Sequence, residues 1–195
     1  RQENARRLER LIKENLVDLN FLDVQFEISF QILASPGENG RDEISFLIST
    51  NPGMPLRPLK DVASGGELSR IMLAIKAVLA DQDDVGTLIF DEIDTGISGR
   101  TAQKVSEKMA VLSSSRQIIC ITHLAQIASM ADHHFLIEKR PEAGKTRTEI
   151  LPLTEEESVQ ELARILGGAR ITETVLDSAR EMKEMAKKLK NPKGV

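Results

Sequence analysis

Tryptophan and tyrosine are absent from this chain, and its six phenylalanines are its whole aromatic complement. A surface that grips single-stranded nucleic acid by stacking bases on aromatic rings is therefore not expected. Nor is there an excess of positive charge: 26 Lys and Arg stand against 30 Asp and Glu, a net charge of −4. Broad, sequence-independent binding of nucleic acid rests on neutralising phosphates, so any DNA contact has to be local or made by other polypeptide. Arg140, Lys145 and Arg147 gather around an expected hairpin turn, where a solvated loop accounts for them. The single Cys120 excludes a disulfide within the chain and reads as a small buried hydrophobe inside an apolar run, which suits a reducing cytoplasm. No apolar run approaches the roughly 18 residues of a membrane span and no signal peptide is visible, so no membrane partner is expected.

What is present describes an ordinary globular chain. At 195 residues, 41% hydrophobic and 29% charged, it has the length for one domain, or one with an appendage, around a real core.

Three segments between Ala63 and His123 carry the chemistry. Ser64, Gly65 and Gly66 precede an apolar helical pattern of Leu68, Ile71, Met72, Ile75, Val78 and Leu79. Glycines at a helix N-terminus leave free backbone N–H groups and the positive dipole end open to a phosphate, and the Ser64 hydroxyl adds a donor. The same residues with Glu67 also spell a capping box that needs no ligand. In the second segment, Thr87 to Phe90 form a strand expected to be buried on both faces, which runs into Asp91-Glu92 and a turn-like Asp94-Thr95-Gly96. Ligands of open α/β sheets bind at such strand ends. One carboxylate there can hold Mg²⁺ through water while its neighbour orients or deprotonates a water; a solvated acidic turn is about as good an account of these residues taken alone. The third segment, Gln117 to His123, is a second short apolar strand ending in a histidine able to donate to a phosphate oxygen, though a lone histidine there is more often a capping residue.

The order and spacing of the three resemble the ATP-binding-cassette ATPases. That resemblance implies that Ser64, Gly65, Gly66 and Glu67 form the signature motif, Asp91 the metal-binding and Glu92 the catalytic member of the Walker B pair, Asp94 the D-loop, and His123 the switch histidine, with ATP and Mg²⁺ as cofactors. Within the family the wording of these segments, with Ile48-Ser49-Thr50-Asn51-Pro52-Gly53, Leu166-Gly167-Gly168 and Ile171-Thr172-Glu173-Thr174, is similar to SMC-like members of DNA repair and covers nearly the whole chain. The implied fold is an α/β one, the C-terminal lobe of an ATPase head, at residues 23–195, with 1–22 as the end of a coiled-coil arm entering it. Recombinational repair of DNA double-strand breaks is the implied role, in the cytoplasm at the nucleoid.

One departure shapes the expectation: no Gly-x-x-x-x-Gly-Lys-Ser/Thr phosphate loop occurs. SMC-like proteins carry that loop in an N-terminal lobe beyond a long antiparallel coiled coil, so the missing half is expected upstream of Arg1. The implied partners are then that lobe, a second head, and DNA through the full-length protein. The signature is expected to act in trans, because the whole Leu68 to Leu79 helix separates it in sequence from Asp91-Glu92. A transporter nucleotide-binding subunit fits worse, since a charged helix and a hairpin stand where its phosphate loop belongs. A module that only dimerises fits worse with Glu92 and His123 both present.

Elsewhere, residues 1–22 read as a helix with Ala5, Leu8, Ile12, Leu19 and Leu22 at heptad spacing and Asn15 breaking it. Alternation over Val24 to Phe30, a turn at Ser35 to Gly40 and a strand at Glu43 to Ser49 predict a hairpin, and Asn51 to Pro58 a loop. Helices are predicted over Gly99–Leu112, Leu124–Ala131, Glu155–Leu166 and Thr172–Leu189. Two further strands are predicted, around Phe135 to Ile137 and Thr148 to Leu151. Lys183, Lys187, Lys188 and Lys190 are expected to complement the last helix's dipole.

Overall fold

A computed structural model describes residues 1–62, 64–82, 84–142, 145–168 and 170–191, so Ala63 and the centre of the expected basic hairpin turn, Ala143-Gly144, lie outside the described residues. The chain divides into two compact units, Arg1–Ile121 and Thr122–Val195.

The first unit opens with α1 (Gln2–Asp18), which buries Ala5, Ile12 and Leu16. It ends four residues earlier than its heptad pattern predicts, because Asn20 turns left-handed at φ 73°. There Asn20 N–H donates to the Val17 carbonyl and Phe21 N–H to that of Leu16, the double closure of a Schellman motif. Leu22, placed on the apolar face by the pattern, is 71% exposed as a result. Polar contacts also tie α1 to its unit: the Glu9 carboxylate accepts from Ile28 N–H, and Asn15 and Asp18 accept from Lys108 at 2.7 and 3.0 Å. Asn15 thus breaks the heptad because it serves a neighbouring helix.

β1 (Gln25–Gly37) and β2 (Gly40–Ser49) form the expected hairpin, with Phe26 and Phe46 stacked at 5.9 Å, and β3 (Arg57–Pro58) adds a short antiparallel edge where a loop was expected. β1 runs through Ser35-Pro36 to Gly37, since a register shift between Ile32 and Gly37 absorbs the extra residues. α2 (Gly65–Val78) packs on α1. β4 (Thr87–Phe90) and β5 (Gln117–Cys120) pair in parallel, joined through α3 (Gly99–Ser113), which buries the predicted Ala102, Val105, Met109 and Leu112.

The parallel pair corrects one expectation. β4 buries Leu88 and Phe90 but leaves Ile89 67% exposed, and beside it Ile119 and Ile121 stand at 43% and 48%. The sheet is covered on one face only, because the first unit supplies two parallel strands and no layer for the other side. β5 also stops at Cys120, short of His123.

In the second unit α4 is only Ala125–Ala128, and β6 (Phe135–Glu142) pairs with β7 (Lys145–Pro152). α5 (Glu155–Gly167) opens on a reciprocal capping box between Thr154 and Glu157. It packs on α4 and on α6 (Glu173–Lys190) through Ala125, Ala128, Leu162, Ala163 and Ala179. The lysines of α6 do more than face its dipole: Lys183 is buried beside Glu155 at 3.7 Å, Lys187 pairs with Glu155 at 2.8 Å and Lys190 with Asp132 at 2.7 Å. Burial first, then the charge of Lys183, holds His134 below its ordinary pKa, and its Nδ1 lies 2.8 Å from the Ser158 hydroxyl. Among the described residues no helix is long and apolar enough to cross a membrane.

The docking of α1 is testable by truncation. Leu16 is fully buried, so Leu16→Ala should cost about 2–5 kcal/mol in urea unfolding, whereas Val17→Ala, at an exposed position, should stay within about 0.5 kcal/mol.

Candidate functional site

α2 begins at Gly65 because Ser64, extended at φ −101°, caps it: the Ser64 hydroxyl oxygen accepts from Glu67 N–H. That leaves the hydroxyl hydrogen free to donate outward. The buried face of the helix runs through Gly66, Arg70, Ile71, Leu73, Ala74 and Ile75. Of the predicted face only Ile71 and Ile75 belong to it fully, and Leu68, Met72, Val78 and Leu79 are half-buried.

The end of β4 lies against the N-terminus of this helix. A Cβ built on Gly65 would come within 2.7 Å of Glu92 Oε2, and one on Gly66 within 2.8 Å of the Glu92 carbonyl and 3.0 Å of Thr95 Cβ. Real side chains do not approach a backbone oxygen so closely, so Gly66 is what allows the two motifs to meet, whereas at Gly65 the group in the way is the movable end of the Glu92 side chain. The expected separation of signature and acidic pair is thereby corrected. α2 spans about 21 Å at 1.5 Å per residue, and the chain then turns back through β4, which returns Asp91-Glu92 to the end where α2 began.

Local hydrogen bonds shape the acidic turn. Asp91 Oδ1 accepts from Glu92 N–H at 2.9 Å, and the Asp91 carbonyl accepts from the Ser69 hydroxyl at 2.8 Å. Glu92 is held left-handed at φ 56°, a conformation costly for a residue with a Cβ, and its carbonyl accepts from Thr95 N–H at 3.0 Å. Ile93 is fully buried and Asp94 nearly so, while Asp91 and Glu92 are exposed. Cys120, paired with Phe90 across the sheet, has its pKa pushed up to about 12 by burial, with the charges of Asp94 and Asp91 adding to the effect.

Ser64, Gly65, Gly66, Glu67, Asp91, Glu92 and Asp94 thus fall within the first unit, around one helix start and one strand end. His123 lies beyond the end of β5, exposed, in the second unit, where the adjacent Thr122 hydroxyl accepts from Leu124 N–H at 3.0 Å. Sequence reasoning passed over Arg70, which is buried in the signature helix and donates to Ile93 and Thr95 carbonyls. Its signal was its place four residues after Gly66, on the face that carries Leu73 and Ala74.

The donor set suits Mg²⁺ with a nucleotide. Among the described residues no three His, Cys, Asp or Glu side chains converge as an all-protein metal cage. Mg²⁺ is commonly held by one or two carboxylates, waters and phosphate, and Asp91 is an exposed carboxylate with one oxygen uncommitted to its own turn. A hollow of about 230 Å³ lined by Glu9, Lys13, Gln25, Phe26, Glu27 and Leu56 lies between α1 and β1, away from these motifs.

No family model matches the chain. It is 43% identical over 97% of its length to the DNA repair protein RecN of Halalkalibacterium halodurans, of which it covers 34%. With RecN of Vibrio cholerae the identity is 45% over 91% of the chain and 32% of that protein, and with RecN of Bacillus subtilis 48% over 78% and 27%. The chain thus spans about a third of the length of the relatives it matches. In fold it is similar to the Smc head domain of Pyrococcus yayanosii, with a TM-score of 0.55 and 20% identity over 80% of this chain and 28% of that one. For the Smc head domain of Pyrococcus furiosus the TM-score is 0.50 at 19% identity, over 82% of this chain and 37% of that one.

The surroundings of Cys120 lead to a chemical expectation. At pH 8 a thiol of pKa about 12 is ionised about one part in 10⁴, so alkylation by iodoacetamide should run more than about a hundredfold slower than for a free cysteine until the chain is unfolded. Asp94→Asn, which removes a neighbouring negative charge, should speed the folded-state reaction.

Proposed function

Since the chain belongs to the RecN family of DNA repair proteins, we propose that it is the signature-bearing lobe of an SMC-like ATPase head, which hydrolyses ATP once another polypeptide segment supplies the phosphate loop. One observation carries the reading: a parallel β4–β5 pair with one face covered and the other, of Ile89, Ile119 and Ile121, left apolar and open at the level of the acidic strand end. Parallel strands are normally buried on both faces, so this sheet needs a further layer and further strands, and the lobe carrying the phosphate loop meets both needs. Residues 1–22 then lead in from a coiled-coil arm, and 23–195 form the lobe.

Bound Mg²⁺-ATP supplies the phosphoryl group and the charge that builds up on it. Asp91 would hold the metal, directly or through water, and Glu92 would accept a proton from the attacking water. His123 donates to a terminal phosphate oxygen. Ser64 and the backbone N–H groups of Gly65 and Gly66, with Glu67 behind them, would receive nucleotide phosphate, that of a second head on this reading even though Glu92 of the same lobe lies against them, and the buried Asp94 would back the turn. Two heads closing on two nucleotides would clamp on binding and part on hydrolysis, with DNA held by the full-length protein at the nucleoid during double-strand-break repair.

Two measurements test this. The isolated chain should show no ATP turnover and at best millimolar affinity by calorimetry; a Kd near micromolar, about −8 kcal/mol, would overturn the split head. In the full-length protein Glu92→Gln should keep Mg²⁺-ATP binding, lose hydrolysis and accumulate ATP-stabilised dimers by light scattering, since the amide preserves shape and cannot take the proton. Hydrolysis at the normal rate would remove Glu92 from the role of base.

A further inference from the structure

Arg70 lies one turn beyond Gly66 on the buried face of α2, with 7% of its surface exposed. A guanidinium taken out of water destabilises a fold unless its donors are answered, and burial here pulls its pKa down against the opposing pull of Glu67. Its answers all lie in backbone and ring. Nη1 donates to the Ile93 carbonyl at 3.2 Å and to the Thr95 carbonyl at 2.9 Å. Its central carbon lies 5.5 Å over the Phe21 ring, and its Nε has no hydrogen-bond partner among the described residues. Phe21, in turn, is set by the Schellman closure that ends α1, and is 6% exposed.

These contacts account for the acidic turn almost atom by atom. Of its backbone carbonyls, that of Asp91 takes the Ser69 hydroxyl, that of Glu92 takes Thr95 N–H, and those of Ile93 and Thr95 take Arg70. Consecutive side chains of α2 therefore fasten the turn on either side of Glu92, whose left-handed φ has to be paid for by its surroundings. One guanidinium nitrogen serves both carbonyls while the delocalised group lies over the Phe21 ring, a combination that the compact, strongly hydrated ammonium of lysine does not reproduce.

We propose that Arg70 is a positioning residue for the nucleotide chemistry, holding the Glu92–Thr95 turn in register with the signature helix and linking that turn, through Phe21, to the end of α1. The proposal rests on the reading of Asp91 and Glu92 as the hydrolytic pair. Displacement of a water-activating carboxylate by an ångström lowers turnover far more than it lowers ground-state binding. A change in the set of α1 would reach Glu92 by the same contacts.

The test uses the full-length protein carrying Arg70→Lys and, separately, Phe21→Leu. In the nucleotide-free protein, amide hydrogen exchange over Ile93–Gly96 should quicken at least tenfold in Arg70→Lys, with the melting temperature within a few degrees of the parent. With Mg²⁺-ATP, kcat should fall at least tenfold while the Kd of a fluorescent ATP analogue stays within threefold. Phe21→Leu should shift exchange and kcat in the same direction by less, and it carries the test should Arg70→Lys not fold. Unchanged exchange overturns the anchor; faster exchange with normal kcat overturns the positioning role; and loss of kcat, affinity and melting temperature together shows a merely structural residue. Glu92→Gln in parallel separates this from the reading beneath it. Normal turnover there removes Glu92 as base, whereas exchange over Ile93–Gly96 decides the anchor independently of activity.

Discussion

The close approach of a helix start to a strand end is the constraint on which the first unit depends. Gly66 has no Cβ, so the N-terminus of α2 can lie directly on Glu92 and Thr95, at distances where a side chain would collide with backbone oxygen, and Gly65 beside it leaves room for the Glu92 carboxylate. From that contact follow the left-handed Glu92, the buried Ile93 and Asp94, and the buried Arg70 that bonds the turn from beneath. A glycine-rich helix start is usually read as room for phosphate. Here the same absence of side chains serves the chain's own packing.

The one-sided cover of the β4–β5 pair is the second organising fact. A parallel sheet of two strands with Ile89, Ile119 and Ile121 exposed is a poor end state for a fold, because parallel strands gain their stability from burial on both faces. The helices account for the covered face: α3 buries Ala102, Val105, Met109 and Leu112 in the same unit. The other side has the character of an interior surface.

Charge placement shows how polar residues can be structural without being chemical. Asn15 breaks an apolar heptad and is repaid by Lys108, Glu9 accepts a strand N–H, and Lys183 is buried near Glu155. Of these only Asn15 stands out in the sequence, as a polar residue in an apolar heptad; Lys183 reads there as a complement to its helix dipole and Glu9 gives no signal, and none can be assigned a partner because the partners lie far away in sequence.

Sequence by itself determined the elements whose information is local. Alternation set the β1–β2 hairpin, helical periodicity set α3 and α5, and glycines, carboxylates and a histidine at spaced element ends marked the candidate site and its resemblance to ATP-binding-cassette ATPases. It misjudged whatever depends on what an element is packed against: the early end of α1, the exposed face of β4 and β5, and the rotation of the buried face of α2 onto Arg70. It also took distance along the chain for distance in space, and so kept Gly65 apart from Glu92. Periodicity records that a face is apolar, but only the tertiary structure decides which neighbour covers it, and only the return of β4 alongside α2 brings a helix start and a strand end far apart in sequence into contact.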